Sequence, residues 1–158
     1  MPVIHRIGYV PGVYDLFHVG HLNLLRQARR HCEYLVAGVV SDDLVRERKG
    51  FTPVVPEHER LDIVSSLDLV DQAILEAVPS KTEVWEQVRF DAIFKGDDWQ
   101  GTPAGEALEK LFEPLGVEIV YLPYTLHTSS TTLRRALDLL DGSAAPAPAQ
   151  LPIGQVTP

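Results

Sequence analysis

Five short apolar runs recur along the chain, and the stretches between them return apolar residues at helical spacing. Val3 to Val10 reads as a first strand interrupted by His5 and Arg6. Tyr34 to Val40 is a second strand, whose near-continuous apolar character predicts burial on both faces, as in a parallel sheet. Val70–Leu75, Asp91–Lys95 and Val117–Leu122 complete the set. After the first run, Leu22, Leu24, Leu25 and Ala28 form an apolar stripe, with Arg26, Gln27, Arg29 and Arg30 largely on the other side. Further helix starts are predicted at Ser41 or Asp42 and at Pro56, the latter running into Leu61, Ile63, Val64 and Leu67. Helices are also predicted over Lys81–Arg89, from about Pro103 to Leu115, and over Leu133–Leu140.

Strands alternating with helices imply βαβ units, and so a doubly wound, Rossmann-like parallel sheet of five strands flanked by helices. In such sheets ligands sit beyond the carboxyl ends of the strands, where the strand order reverses. Four polar motifs follow strands here: residues 11–21, 41–50, 96–99 and 123–131. Their convergence on one rim is the main structural expectation. Residues 1–141 read as one domain, and the Ala- and Pro-rich stretch 142–158 as a disordered tail.

Composition narrows the partners. The 158 residues carry 22 acidic against 14 basic side chains, a formal net charge of −8. That argues against broad binding to nucleic acid or to an anionic membrane, although a few converging cations can still hold a polyphosphate. Cys32 is the only cysteine, which fits a reducing compartment. The N-terminal residues lack the apolar core of a secretory signal, and no apolar run approaches a bilayer span of roughly 20 residues. A cytoplasmic location is the expectation.

The densest chemistry lies in Gly12-Val13-Tyr14-Asp15-Leu16-Phe17-His18-Val19-Gly20-His21, directly after the first strand and leading into a helix. A helix N-terminus offers unpaired N–H groups and partial positive charge, so a phosphate is the expected guest. Two protonatable histidines there add donors where negative charge grows. On residue chemistry alone, the pair could also be structural or share a metal ion.

This stretch resembles the H-x-G-H signature of the cytidylyltransferases, a branch of the nucleotidyltransferases that joins a nucleoside monophosphate to a phosphorylated alcohol and releases pyrophosphate. The resemblance spans about residues 8 to 138 and implies the following roles. His18 and His21 face the triphosphate, and Gly20 leaves room for the nucleotide. Gly12, Val13, Tyr14 and Asp15 belong to the nucleotide site, with Val13 standing where the family often has a hydroxyl residue. Lys49 is the lysine of a flexible basic loop that closes over the substrates, with Arg48 and Arg46 as alternatives in register. Arg60, in Pro-Glu-His-Glu-Arg, is a phosphate clamp.

Gly96-Asp97-Asp98-Trp99 is similar to the glycerol-3-phosphate cytidylyltransferase subgroup, in which the first aspartate, here Asp97, helps bind the nucleotide. Trp99 packs near that site. The final motif, Tyr124 to Thr132, resembles the family's Arg-Thr…Ser-Thr element through Thr125, Ser130 and Thr131. Tyr124 replaces the family arginine, which implies a different second substrate, a weaker hold on the nucleotide, or a compensating cation such as Arg134 or Lys95. The implied partners are CTP, a phosphorylated acceptor with glycerol 3-phosphate favoured, Mg²⁺ carried chiefly by the triphosphate rather than by protein ligands, and a second copy in a homodimer. The rival readings are an ATP-dependent adenylyltransferase of the same fold, whose usual opening has Pro where this chain has Leu16, and a non-catalytic nucleotide sensor.

Overall fold

The computed structural model describes residues 3–124 and 127–142. The expected Thr125 contact and all but the first residue of the expected 142–158 tail therefore lie outside the described residues. The elements are β1 (His5–Gly12), α1 (Val19–Arg29), β2 (Cys32–Val40), α2 (Asp42–Lys49), α3 (Glu57–Ser65), β3 (Gln72–Glu76), α4 (Lys81–Val88), β4 (Ala92–Gly96), α5 (Pro103–Phe112), β5 (Glu118–Leu122) and α6 (Ser130–Asp141). Short 3-10 turns cover Asp97–Trp99 and Glu113–Leu115.

All four strand pairings are parallel and the order is β3-β2-β1-β4-β5. Successive residues of the central strands serve opposite faces, as the period of two requires. Val10, Ala37 and Phe94 join Leu25, Ala28 and Val64 in the core under α1 and α3. Tyr9, Val36 and Ile93 join Val84, Leu108 and Phe112 under α4 and α5. Helices on both faces explain why β2 reads as an almost unbroken apolar run.

Element boundaries moved where long-range polar contacts decided them. β1 carries His5 and Arg6 because the Asp91 carboxylate accepts the backbone N–H groups of Arg6 and Ile7 at 2.9 and 2.8 Å. The basic stretch around residues 46–49, expected as a flexible loop, is the last turn of α2. Ser41 caps that helix through Leu44 N–H, Gly50 ends it at φ 75°, and Arg46, Arg48 and Lys49 sit where the helix dipole favours cations.

The winding order reverses between β1 and β4, which are parallel neighbours in the sheet. Their ladder ends at Tyr9↔Ile93, three residues short of Gly12 and of Gly96. The strand ends part beyond that point, which is where a doubly wound sheet opens its ligand crevice.

Candidate active site

A cleft of about 240 Å³ occupies this crevice, with Gly12 and Gly96 on its two walls. The turn from β1 into α1 is tight enough to hold two non-glycine residues in the left-handed region, Tyr14 at φ 58° and Leu16 at φ 51°. Such backbone costs of order 1–3 kcal/mol per residue and persists only where the surroundings dictate it. Here they do. The Tyr14 hydroxyl donates to Val10 O at 2.9 Å, and the Asp15 carboxylate accepts from Val54 N and Val55 N, both at 2.9 Å.

His18 and His21 form a capping box at the start of α1. His18 Nδ1 accepts the Gly20 N–H at 3.0 Å, and His21 Nδ1 accepts the His18 N–H at 3.2 Å. With each Nδ1 occupied as an acceptor, the proton of each neutral imidazole sits on Nε2. Both Nε2 atoms approach one atom, Ser130 Oγ, at 3.3 and 3.4 Å. That hydroxyl gives its own proton to Asp15 O at 2.6 Å, so its lone pairs face the two imidazoles.

Burial lowers the pKa of His18, and burial followed by the neighbouring His18 pushes His21 down to about 3 against a weaker opposing pull from Asp15. The two protonatable histidines expected from residue type thus stay neutral near pH 7 and offer their Nε2–H groups as donors. Gly20 also has a more local reason than room for a ligand. A Cβ there would lie 2.7 Å from His18 Cε1 and 2.9 Å from Nδ1, so only glycine lets the ring fold back onto the helix start.

The opposite wall of the donor pair is the N-terminus of α6. Ser129 caps it through Thr132 N–H, and Ser130 and Thr131 line the cleft. The positive end of a twelve-residue helix thus meets the positive end of α1. Lys49, Lys95 and Arg134 also line the cleft, against Asp98 as the carboxylate in the lining. Burial first, then Arg134 and Arg48, lower the Lys49 pKa. Burial, with Lys81 and Lys49 nearby, takes Lys95 down to about 7. A pocket that depresses its own cations is built for an anion. Arg134 lies 4.0 Å over Phe51 and within 3.4 Å of Asp15, which sets it beside the helix end.

Several expected site residues sit elsewhere. Arg60 is fully buried and four of its five N–H donors are taken: Val55 O at 2.8 Å, Val13 O at 2.6 Å, Val40 O at 2.8 Å and Asp42 Oδ1 at 2.6 Å. It holds the β1 turn against the start of α2 and offers no fork to a phosphate, so the clamp expectation is corrected to a structural one. Asp15 is likewise buried, as a tether. Arg48 turns away to Glu76 and to Pro79 O. Asp97 accepts Tyr124 N at 3.2 Å, whereas Asp98 reaches the cleft lining. Trp99 and Tyr124 line the cleft as well.

Sequence reasoning missed the buried cluster behind Lys95. Glu76 closes β3 and accepts from Tyr9 OH at 2.7 Å, Lys81 Nζ at 3.0 Å and Arg48 Nη1 at 3.3 Å. Burial raises its pKa, but Lys81, Tyr9 and Arg48 outweigh burial and hold it low. The signal was an acid ending an apolar strand on the same rim as the other motifs.

A family model described as cytidylyltransferase-like matches residues 9–136. An ethanolamine-phosphate cytidylyltransferase of Arabidopsis thaliana is 41% identical over 95 residues, 57% of this chain and 22% of that protein. The bifunctional protein HldE of Hyphomonas neptunium is 33% identical over 129 residues, covering 81% of this chain and 26% of the relative. The chain thus spans about a quarter of the length of these relatives. Among solved structures, a lipopolysaccharide core biosynthesis protein from Thermoplasma volcanium superposes with a TM-score of 0.66 at 27% identity, over 78% of this chain and 99% of that one. A pantothenate synthetase from Thermus thermophilus, at 18% identity and a TM-score of 0.53 over 87% of this chain and 70% of that one, shares the fold. With a crevice at the switch point, paired imidazole donors and a match running from β1 into α6, the chain belongs to the cytidylyltransferase-like family.

Proposed function

We propose that this chain transfers the cytidylyl group of CTP to a phosphorylated small alcohol, with glycerol 3-phosphate as the first acceptor to try. One observation carries the reading: the Nε2–H groups of His18 and His21 converge with the N-terminus of α6 on a single point of the cleft. A phosphate oxygen of the acceptor attacks the α-phosphorus of CTP in line. The bond from that phosphorus to the bridging oxygen breaks, and pyrophosphate leaves with the electron pair. No proton abstraction from the nucleophile and no covalent enzyme intermediate is needed, so the protein's work is positioning and neutralisation of growing charge.

In this scheme His18 and His21 donate to the transferring phosphoryl and to departing oxygens, displacing Ser130 Oγ as their acceptor. Ser130, Thr131 and the α6 N–H groups take the outer phosphates, with Lys49 and Arg134 as counter-charges. Arg134 supplies the cation that Tyr124 does not. Mg²⁺ enters as a companion of the triphosphate: the cleft lining contributes one carboxylate, Asp98, and among the described residues no group of three metal-binding side chains forms. No step above runs through it. A homodimer and a cytoplasmic location belong to the same reading; among the described residues no helix is long and apolar enough to cross a membrane.

The test is pyrophosphate release by the purified chain across CTP and ATP, each paired with a panel of phosphorylated acceptors. Release with CTP supports the proposal, release with ATP alone moves the chain to adenylyl transfer, and binding of nucleotide without release with any pair supports a non-catalytic sensor.

A further inference from the structure

Beyond the triphosphate end, the β4 wall of the cleft carries an amine that, among the described residues, no carboxylate pairs. Lys95 is the penultimate residue of β4, and its Nζ stands 3.6 Å above the centroid of the Trp99 ring. Among the described residues it makes no hydrogen bond or ion pair. The acid behind it, Glu76, is already engaged by Lys81, Arg48 and Tyr9. The other acid nearby, Asp98, is an exposed carboxylate folded over Gly96 and shares the lining with two further cations, Lys49 and Arg134.

An aromatic face in a pocket is the usual seat of an ammonium head group, through cation–π attraction within about 6 Å. In this protein the seat is taken by the chain's own lysine. Lys95 lines the cleft, and the N–H donors it does not turn to the ring call for oxygen acceptors: hydroxyls or phosphate oxygens of a ligand.

We propose that the corner of the cleft formed by Lys95 and Trp99 takes the alcohol end of the acceptor and selects a phosphorylated polyol or sugar over an amino-alcohol phosphate, because Lys95 occupies the indole face of Trp99 and brings like charge to the place an ammonium would take. The inference rests on the nucleotidyl-transfer reading and names the acceptor class for that same site. It separates this chain from the ethanolamine-phosphate enzyme it resembles in sequence. Two unit charges about 4 Å apart repel by about 1 kcal/mol even in bulk water and by more at a protein surface, so discrimination of at least about fivefold is expected.

The experiment uses the full chain with CTP and matched concentrations of glycerol 3-phosphate, a sugar phosphate and ethanolamine phosphate, at about pH 6, below the value near 7 to which burial takes Lys95, so that its ammonium is charged. Pyrophosphate release gives kcat/KM for each acceptor, and calorimetric titration of each acceptor into the chain saturated with a non-hydrolysable CTP analogue gives binding without turnover. The expected result is a polyol or sugar phosphate preferred at least fivefold over ethanolamine phosphate in both readouts. Lys95→Met should raise the KM of the preferred acceptor and narrow that gap. Ethanolamine phosphate equal to or better than the others, or a gap unchanged in Lys95→Met, would overturn the proposal. Silence of pyrophosphate release with every acceptor overturns nucleotidyl transfer instead, and the titration still decides the acceptor class.

Discussion

Gly20→Ala separates the geometry of the histidine pair from the stability of the helix that carries it. The new Cβ would lie 2.7 Å from His18 Cε1, whereas ordinary contact begins near 3.4 Å, so the ring must retreat by about 0.7 Å. Retreat breaks the 3.0 Å bond from Gly20 N–H to Nδ1, and with it the constraint that keeps the ring proton on Nε2. Losing the cap costs about 1 kcal/mol, while alanine in place of glycine inside the helix returns roughly 0.5–1 kcal/mol. The two nearly cancel, so the melting temperature should move by only a few degrees. Catalysis has no such compensation, because a misplacement approaching 1 Å can cost on the order of a hundredfold. The assays are thermal denaturation, pyrophosphate release, and nitrogen NMR of the His18 ring, which reports the tautomer without requiring activity. A variant with turnover within about threefold of the parent and an unchanged Nε2–H signal would refute the reasoning.

Three further outcomes follow from the same geometry. His18→Ala or His21→Ala should each lower turnover by at least about a hundredfold with the fold retained, since one lost donor to developing charge is worth roughly 2.7–4 kcal/mol; a folded variant with near-full activity contradicts the donor role. His21 titrates near 3 in the folded chain and about 6.5 when unfolded, so the unfolded state takes up an extra proton between those values and stability falls as pH drops through that window. His21→Gln, which keeps a capping side chain without a titrating group, should melt with a shallower dependence on pH there, and an unchanged slope would count against the buried neutral imidazole. Arg60→Leu should destabilise by about 3–5 kcal/mol, because Asp42 and the carbonyls of Val13, Val40 and Val55 lose their donor. A conservative Arg60→Lys that melts normally but needs far more CTP would restore the phosphate-clamp role denied to Arg60 above.

Much of the molecule was legible before any coordinates. Short apolar runs and helical patterning placed the five strands and six helices of the described residues, and their alternation implied the parallel sheet, because an unbroken apolar strand such as Tyr34–Val40 is stable only with helices on both faces. The switch point, and so the place of the cleft, followed from that topology. Residue type and spacing also nominated His18 and His21 at a helix start, and the family resemblance added Ser130 and Thr131.

Direction of side chains was a different matter, decided by partners far away in the chain. Arg60 looked like a clamp, but Val13 O and Val40 O, 47 and 20 residues distant, turned its guanidinium inward. Asp15 became a tether for Val54 and Val55, about 40 residues on, and of the two neighbouring aspartates Asp98 rather than Asp97 reached the cleft. The protonation of the histidines belongs to the same class of fact, because burial and a backbone N–H on each Nδ1 set it, and neither is written in the identity of the residue. Sequence alone fixes which groups a segment can offer; the packed fold decides which of them remain unpaired and where they point, since hydrogen bonds and desolvation depend on neighbours that only folding brings together.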